Sequence, residues 1–579
     1  MNTEVIKWLP NEKALVVWEG KKYDYQYICK RVLCIAQELN KTAGAGKNVG
    51  IYMKRCPDVM FSMLASLISG NVYVPIDTIM PQERVDYILE NADVKYILTN
   101  TEYKGIFPGK EVILVDKIFD NPQNETAEFA ENKNAYIIYT SGSTGLPKGV
   151  CISKENLRTF ITGVCEKIDF KEGSSIACLT SYSFDIFFLE SLMALHEGLE
   201  VYFANEHQKN NPVAGLKYLV ENNIEMIQIT PSRIQQYINY DSKMDFLKNV
   251  RILMVGGEEM PKALLSKLQS GAGGCRIYNM YGPTETTIWS AIGDVTSSQE
   301  VHAGEALKDT ELFIIDEEMK VCGAGVKGEL CISGKLLSKG YYNNEEMTNK
   351  KFITMNNKRV YCTGDIAHIS EDNKLYIHGR IDNQVKIRGY RIEVNEIENA
   401  IRNVGMVDNV AVLAMDVNEG ENKRLVAFYA AKEEQLDIKE LKTSLMKFLP
   451  QYMIPEQLYK MEEFPLTASG KIDRNKVIIE YLHIQNAEAN THKEDEELGE
   501  IEKRVIEIIK KNVKNKNVYV NKESDLAAIG VDSISFVKII VDIECEFDVE
   551  FDVEELFDSQ TKLRTIGDWI EFIKKIVGS

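Results

Sequence analysis

Tyr139-Thr140-Ser141-Gly142-Ser143-Thr144-Gly145-Leu146-Pro147-Lys148-Gly149 is the stretch on which the reading of this chain turns. It closes an apolar run at 135–139, and every residue from Thr140 to Gly145 is a hydroxyl or a glycine. Glycines let backbone N–H groups approach an anion, hydroxyls add donors, and Lys148 supplies charge. No Gly-Lys-Ser/Thr follows the first glycine at the spacing of a Walker A loop. A Gly/Ser/Thr loop taken alone reads equally as a phosphate cradle or as a surface turn.

Working outward, short β-rich runs at 49–53, 135–139, 226–230, 252–255 and 312–315 alternate with helical patterns from about residue 10 to 380. Such alternation predicts an α/β architecture with largely parallel sheets. A second unit is expected from Asp382, after the turn-like His378-Gly379-Arg380, and 394–477 reads helix, strand, strand, helix, loop. Residues 485–499 are poor in apolar side chains and read as a solvated linker. Beyond it, Ile501, Val505, Ile508 and Ile509 recur at helical spacing. A second helix is predicted from Ser533 through Phe536, Ile539, Ile540 and Ile543, and a third over 563–576.

The 579 residues are 44% hydrophobic and 27% charged, an ordinary globular balance that excludes a disordered chain, a fibre or a disulfide scaffold. A net charge of −19 argues against nucleic acid or an anionic membrane as a partner. The eleven cysteines form no CxxC pair, the nearest being Cys29 and Cys34, which suits a reducing compartment. Residues 1–10 lack a signal-peptide pattern, and no apolar run nears the roughly 20 residues a membrane span needs. The expectation is a soluble cytoplasmic protein.

The loop does not stand alone. Leu67-Ile68-Ser69-Gly70-Asn71-Val72-Tyr73-Val74-Pro75-Ile76-Asp77 precedes it, and Asn279-Met280-Tyr281-Gly282-Pro283-Thr284-Glu285 follows. Then come Gly328-Glu329-Leu330 with Gly340-Tyr341-Tyr342, Tyr361-Cys362-Thr363-Gly364-Asp365, a string from Gly379-Arg380-Ile381-Asp382 to Arg388-Gly389, and Pro465-Leu466-Thr467-Ala468-Ser469-Gly470-Lys471. In this order they resemble the motifs of the adenylate-forming superfamily, and in detail the adenylation domains of nonribosomal peptide synthetases. The resemblance implies a large adenylate-forming core with stacked, mostly parallel sheets over 1–381 and a small α+β lid subdomain over 382–484. A linker over 485–499 and an all-α helical-bundle carrier domain over 500–579 complete it.

It also implies a chemistry: a carboxylate joins AMP with loss of pyrophosphate, and the acyl group then passes to a thiol. Thr140, Ser141, Gly142, Ser143, Thr144, Gly145 and Lys148 would hold the leaving phosphates of ATP. Glu285 would hold Mg²⁺, with Thr284 near the α-phosphate. Gly257, Glu258, Asn279 and Tyr281 would frame the adenine, and Asp365, helped by Arg380, the ribose. Lys471, by itself most simply an exposed loop lysine, would bridge the substrate carboxylate and the ribose side. Asp382 would be the hinge on which the small subdomain turns, so that Lys471 serves adenylation and the 386–391 loop serves thioester formation.

Ser183-Phe184-Asp185 resembles the motif whose aspartate pairs with an α-ammonium; the lesser alternative is that Asp185 caps the helix that follows. The family's specificity positions map to Asp185, Ile186, Leu189, Gln228, Met254, Gly256, Met280, Ile288, Trp289 and Lys471. This set is similar to the glycine-selecting pattern, with Met254 and Met280 where leucine is usual, and the bulk of Trp289, Met254 and Met280 is expected to plug the pocket. Glycine is the expected substrate and alanine the second. Ile529-Gly530-Val531-Asp532-Ser533-Ile534 resembles a carrier's 4'-phosphopantetheine attachment site with Ser533 as acceptor; Val531 departs from it, and a helix cap is the plainer reading of Asp532 and Ser533. The acidic stretch 546–558 reads as a solvated face or as a docking face. Expected partners are a phosphopantetheinyl transferase and a downstream acceptor enzyme in trans, with a small activator protein a further candidate, in a pathway such as antibiotic biosynthesis. The rival readings are a ligase releasing acyl-coenzyme A and a catalytically idle interaction protein.

Overall fold

The computed structural model describes residues 8–118, 132–142, 145–405, 407, 409–416, 423–430, 437–461, 463–466, 472–479, 481, 500–513, 520, 522, 524–526, 529, 531, 533–547 and 565–577. They fall into two compact units, Met1–Val404 with Lys439–Ile454, and Gly405–Ile438 with Pro455–Ser579.

The first unit is built on three sheets. One has the spatial order Glu111–Leu114, Tyr96–Thr99, Asn48–Tyr52, Val72–Pro75, Asn134–Thr140, Lys148–Ser153. Its neighbours run parallel except the last pair, where Thr140 faces Lys148. The Gly/Ser/Thr loop is therefore the bend of an antiparallel hairpin at this sheet's edge. The second sheet has nine strands, parallel from Arg276–Tyr281 through Ile252–Gly256, Met226–Ile229, Ser175–Cys178 and Glu200–Phe203 to Leu15–Trp18, with antiparallel strands at both edges. Ile51 and Tyr136 of the first sheet share an apolar core with Ile176 and Met254 of the second, and with the helices Tyr25–Ala43 and Pro57–Ile68. The third sheet is antiparallel: Thr310–Ile315, Gly328–Gly334, Lys358–Ile369, Phe352–Met355 and Leu375–Arg380.

The continuous apolar runs seen in the sequence are the central parallel strands. Met226–Ile229 and Ile252–Gly256 are buried along their whole length, as strands covered on both faces must be. Gln228, only 2% exposed, is the polar exception in that layer. Gly256 and Tyr281 end their strands at the carboxyl edge of the sheet, where open α/β sheets place ligands.

After Asp382 the chain forms a hairpin, Gln384–Ile387 with Tyr390–Glu393. Its two-residue turn has Arg388 at φ 53° and Gly389 at φ 81°, the left-handed pair that a type I′ turn demands. This hairpin and the helix Val394–Val404 pack within the first unit.

In the second unit Asn409–Asp416 pairs antiparallel with Lys423–Ala430, which runs parallel to Gln457–Lys460. Leu413, Val426, Phe428, Met461 and Val477 form the core there. The helices Glu500–Asn512, Ser533–Phe547 and Ile566–Val577 close on Val505, Ile509, Ile543, Trp569 and Ile573. The last helix begins at 566, not 563, because Thr565 caps it: its hydroxyl accepts from the Asp568 amide, and Asp568 accepts from the Thr565 amide. Among the described residues no helix is long and apolar enough to cross a membrane.

Candidate active site

A cleft open to solvent lies in the first unit between the phosphate-type loop, the turn carrying Asp185, the strand ends near Gly257 and Gly282, and the 384–391 hairpin. Three chemically distinct regions line it or lie directly behind its wall.

The first is cationic around one anion. Glu285, in the short 3₁₀ turn Thr284–Thr286, is fully buried. It accepts from Arg391 Nη1 at 2.6 Å and from the Tyr341 hydroxyl at 2.7 Å, and Lys148 Nζ lies 3.5 Å away. Burial alone would raise its carboxyl, but the Arg391 and Lys148 charges win and hold it well below its ordinary value. Burial, with Arg391 adding repulsion, pulls Lys148 down, although Glu285 and Glu393 oppose this. The loop itself is set up for an anion. The Gly142 N–H is held by the Glu396 carboxylate at 3.1 Å, which Arg84 also holds at 2.5 Å. Thr140 Oγ1 is buried beside the cleft with no partner. A Cβ on Gly142 would sit 1.9 Å from the Leu146 carbonyl oxygen, so only glycine closes this bend. An ionised buried carboxylate and a loop amide already holding an anion fit a divalent cation and phosphate oxygens. Ser143 and Thr144 lie outside the described residues.

The second region suits a nucleoside. Asp365 accepts from the Tyr281 hydroxyl and, at 2.6 Å, from Arg380 Nη1. Arg380 also grips Asp382 through Nε at 2.6 Å and Nη2 at 2.8 Å. Burial would raise the Asp382 carboxyl, but Arg380 outweighs it and lowers it. Gly257 lines the cleft, while Glu258 accepts from the Ser232 amide and hydroxyl, each at 3.0 Å, and from the Gly389 amide. Asn279 turns away from the cleft to donate to the His302 carbonyl at 3.0 Å. Lys386 lines the cleft, its ammonium pulled down by burial although Asp365 opposes this.

The third region is a small acidic pocket. Asp185 is 8% exposed, and its Oδ2 is buried without a hydrogen-bond partner. Burial pushes its carboxyl above the ordinary value, against hydrogen bonds from the Thr284 hydroxyl and the Ile186 amide. Ile186 and Trp289 line the same part of the cleft. Trp289 is 1% exposed and donates Nε1 to Gln228 Oε1 at 3.0 Å. It is presented by two β-branched residues in the left-handed region, Thr287 at φ 61° and Ile288 at φ 68°, a strain of order 1–3 kcal/mol each that such residues bear mainly at ligand sites. Gly256 serves the indole: a Cβ there would stand 2.7 Å from its Cη2. Leu189, Met254, Met280 and Ile288 lie with Trp289 in the apolar core and do not line the cleft. Of these bulky side chains only the indole reaches the cleft; the two methionines lie in the core.

Lys471 lies outside the described residues, as does Asp532. Ser533 is the first residue of the helix Ser533–Phe547.

Residues 5–342 match the AMP-binding enzyme family, residues 396–471 its C-terminal domain and residues 503–572 the phosphopantetheine attachment site family. The chain belongs to the AMP-binding enzyme family. It joins an adenylation domain to a carrier domain. Among curated relatives it is 32% identical over 484 residues to the dimodular nonribosomal peptide synthase of Bacillus subtilis (strain 168), covering 80% of this chain and 20% of the relative. It is 33% identical over 479 residues to bacitracin synthase 3 of Bacillus licheniformis, covering 80% and 8%. The chain thus spans a fifth or less of the length of these two relatives. Among solved structures, a four-domain nonribosomal peptide synthetase bound to AMP and glycine aligns with TM-score 0.61 at 28% identity, over 99% of this chain and 42% of that one. A protein containing adenylation and PCP domains, bound to a vinylsulfonamide inhibitor, shares the adenylation-and-carrier fold with TM-score 0.78 at 21% identity, over 97% and 93%.

Motif reading did not single out Arg391, Arg84, Glu396 or Glu190. The one local signal was Glu190 itself, a charge inside the apolar run Phe187-Phe188-Leu189-Glu190-Ser191-Leu192-Met193.

Proposed function

We propose that this adenylation domain activates a small α-amino acid, glycine first and alanine second, with ATP and Mg²⁺, and transfers it to its own carrier domain. One observation carries the amino-acid reading: the Asp185 carboxylate, buried with Oδ2 unpartnered, on the wall of the cleft that Thr284 and Asp365 also line. A buried carboxylate in that state needs a cation, and an α-ammonium supplies one. What supports a small substrate is the indole of Trp289, seated over Gly256 and tied to Gln228. Excluding larger side chains is steric and strong, and no smaller α-amino acid competes.

In the first step a carboxylate oxygen forms a bond to the α-phosphorus of ATP as the bond to the leaving pyrophosphate breaks. Positioning and charge dominate such a transfer. The 140–148 loop and Lys148 would hold the leaving phosphates, Asp365 with Arg380 the ribose, and Gly257, Glu258 and Tyr281 the base. Mg²⁺ held at Glu285 would supply positive charge to the phosphate oxygens. Lys471 would neutralise the two anions as they meet. In the second step a thiol takes the acyl group and AMP leaves; the 4'-phosphopantetheine arm would supply that thiol from Ser533, where a helix N-terminus suits an anionic attachment. The hairpin lies in the cleft, with Lys386 on its wall and Arg391 on Glu285, in keeping with a thioester-forming arrangement reached by turning about Asp382. The division proposed is 1–381 core, 382–484 lid, 485–499 linker and 500–579 carrier. The loaded amino acid would pass to an acceptor enzyme in trans in the cytoplasm.

The test is intact-mass measurement of the pantetheinylated chain with ATP and an amino-acid mixture, beside ATP–pyrophosphate exchange for each acid. A mass increase matching glycine is expected. Preference for a large or aromatic acid, or release of product on free coenzyme A, would refute the proposal.

A further inference from the structure

Behind the pocket lies a buried charge with no part in the chemistry above. Glu190 is fully buried, five residues past Asp185, inside the π-helical turn Leu189–Met193. Such turns shift the side chains that follow and are frequent at functional sites. Its carboxylate accepts from the amides of Leu179 at 2.8 Å and Thr180 at 2.9 Å, from the Thr180 hydroxyl at 2.5 Å and from Gln228 Nε2 at 2.9 Å. Burial pushes its carboxyl up, against these hydrogen bonds and the nearby Arg55 charge. This cage offers donors, which an ionised carboxylate satisfies with its several acceptor sites.

Gln228 connects that cage to the pocket. Its Nε2 donates to Glu190 Oε1 at 2.9 Å and to the Ile186 carbonyl at 2.9 Å, and its Oε1 accepts from Trp289 Nε1 at 3.0 Å. An indole N–H only donates, while the Ile186 carbonyl and the Glu190 oxygen take the other end, so the amide has one orientation that satisfies all three. Turned the other way, it would set oxygen against the Glu190 carboxylate and N–H₂ against the indole N–H.

We propose that Glu190 is a specificity-determining positioning residue: by forcing the Gln228 oxygen toward Trp289 it pins the indole that closes the amino-acid pocket and so sets the largest side chain admitted. The assignment rests on the amino-acid reading of that pocket.

Glu190→Gln tests it with almost no change of shape. If its new N–H₂ replaces Oε2, it meets the Leu179 and Thr180 amides, backbone donors that cannot reverse. It must instead replace Oε1, where the Thr180 hydroxyl can turn to accept. Gln228 must then flip against the Ile186 carbonyl or draw away from position 190, and either way the acceptor of Trp289 is displaced. With one methylene of steric discrimination worth about 10–200-fold, the glycine-to-alanine ratio of kcat/KM in pyrophosphate exchange is expected to fall at least about tenfold while KM for ATP holds. In a Trp289→Phe background, which has no N–H to pin, Glu190→Gln should change that ratio no further. Should Glu190→Gln fail to fold, Gln228→Met breaks the same relay and should relax the ratio alike. A folded Glu190→Gln full chain with an unchanged ratio refutes the assignment alone. Absence of exchange with every amino acid in the unaltered chain refutes the amino-acid reading and this assignment with it.

Discussion

Asp185→Asn removes the charge on which the proposed substrate recognition depends and keeps the shape. In the free protein Asp185 is 8% exposed, one carboxylate oxygen has no partner, and burial has raised its carboxyl above the ordinary 3.8. The unliganded site thus holds a charge at a cost that the ammonium of the substrate offsets. Removing one member of a buried ion pair costs about 3–5 kcal/mol, which at about 1.4 kcal/mol per tenfold is roughly two to three and a half orders of magnitude in amino-acid affinity. Folding should respond in the opposite sense. A carboxyl whose folded value is raised favours the protonated form, so its cost is absent below the unfolded value of 3.8 and complete above the folded one. At neutral pH the asparagine variant should therefore melt no lower than the parent, and its advantage should shrink on acidification. In pyrophosphate exchange the amino-acid KM of the parent should rise as pH falls through the raised Asp185 value, while that of the variant stays flat. ATP KM should hold in both. A variant whose amino-acid KM stays within about threefold of the parent would refute the ammonium assignment.

Three further outcomes are expected. Glu285→Gln leaves Arg391 and Lys148 facing each other across a buried site without their anion, and should cost about 3–5 kcal/mol in denaturant unfolding. Because burial is outweighed by those cations and the folded carboxyl is depressed, its contribution exists above the ordinary 4.5 and is lost as pH falls toward the folded value, so parent and variant should converge in acid. Gly142→Ala drives a Cβ to 1.9 Å from the Leu146 oxygen and should raise KM for ATP with amino-acid KM little changed in exchange kinetics. Lys471→Ala should cripple exchange, whereas Ser533→Ala should keep exchange and abolish loading by intact mass; loading retained in Ser533→Ala would move the acceptor elsewhere.

Much of the scaffold was legible in order of residues alone. The runs at 226–230 and 252–255 are the strands Met226–Ile229 and Ile252–Gly256, because strands buried on both faces carry apolar side chains without alternation. The helical spacing from Ile501 to Ile509 is the helix Glu500–Asn512, since one face had to meet a shared core. Asp185 and Asp365, each carried by a short local pattern, both line the cleft. Which of the three bulky side chains reaches the cleft was not legible: the family resemblance names Trp289, Met254 and Met280 alike, and only the fold sets the indole on the cleft and the methionines in the core.

What the sequence determined by itself was the family and much of the run of elements, which rest on near-neighbour patterns. What only the tertiary structure decided was which charges meet. Arg391 reaches Glu285 across 106 residues and Arg84 reaches Glu396 across 312, and the Glu190–Gln228–Trp289 relay joins a π-helical turn, a central strand and a strained loop. A hydrogen bond acts over about 3 Å while its partners lie anywhere along the chain, so only the folded path brings them within range.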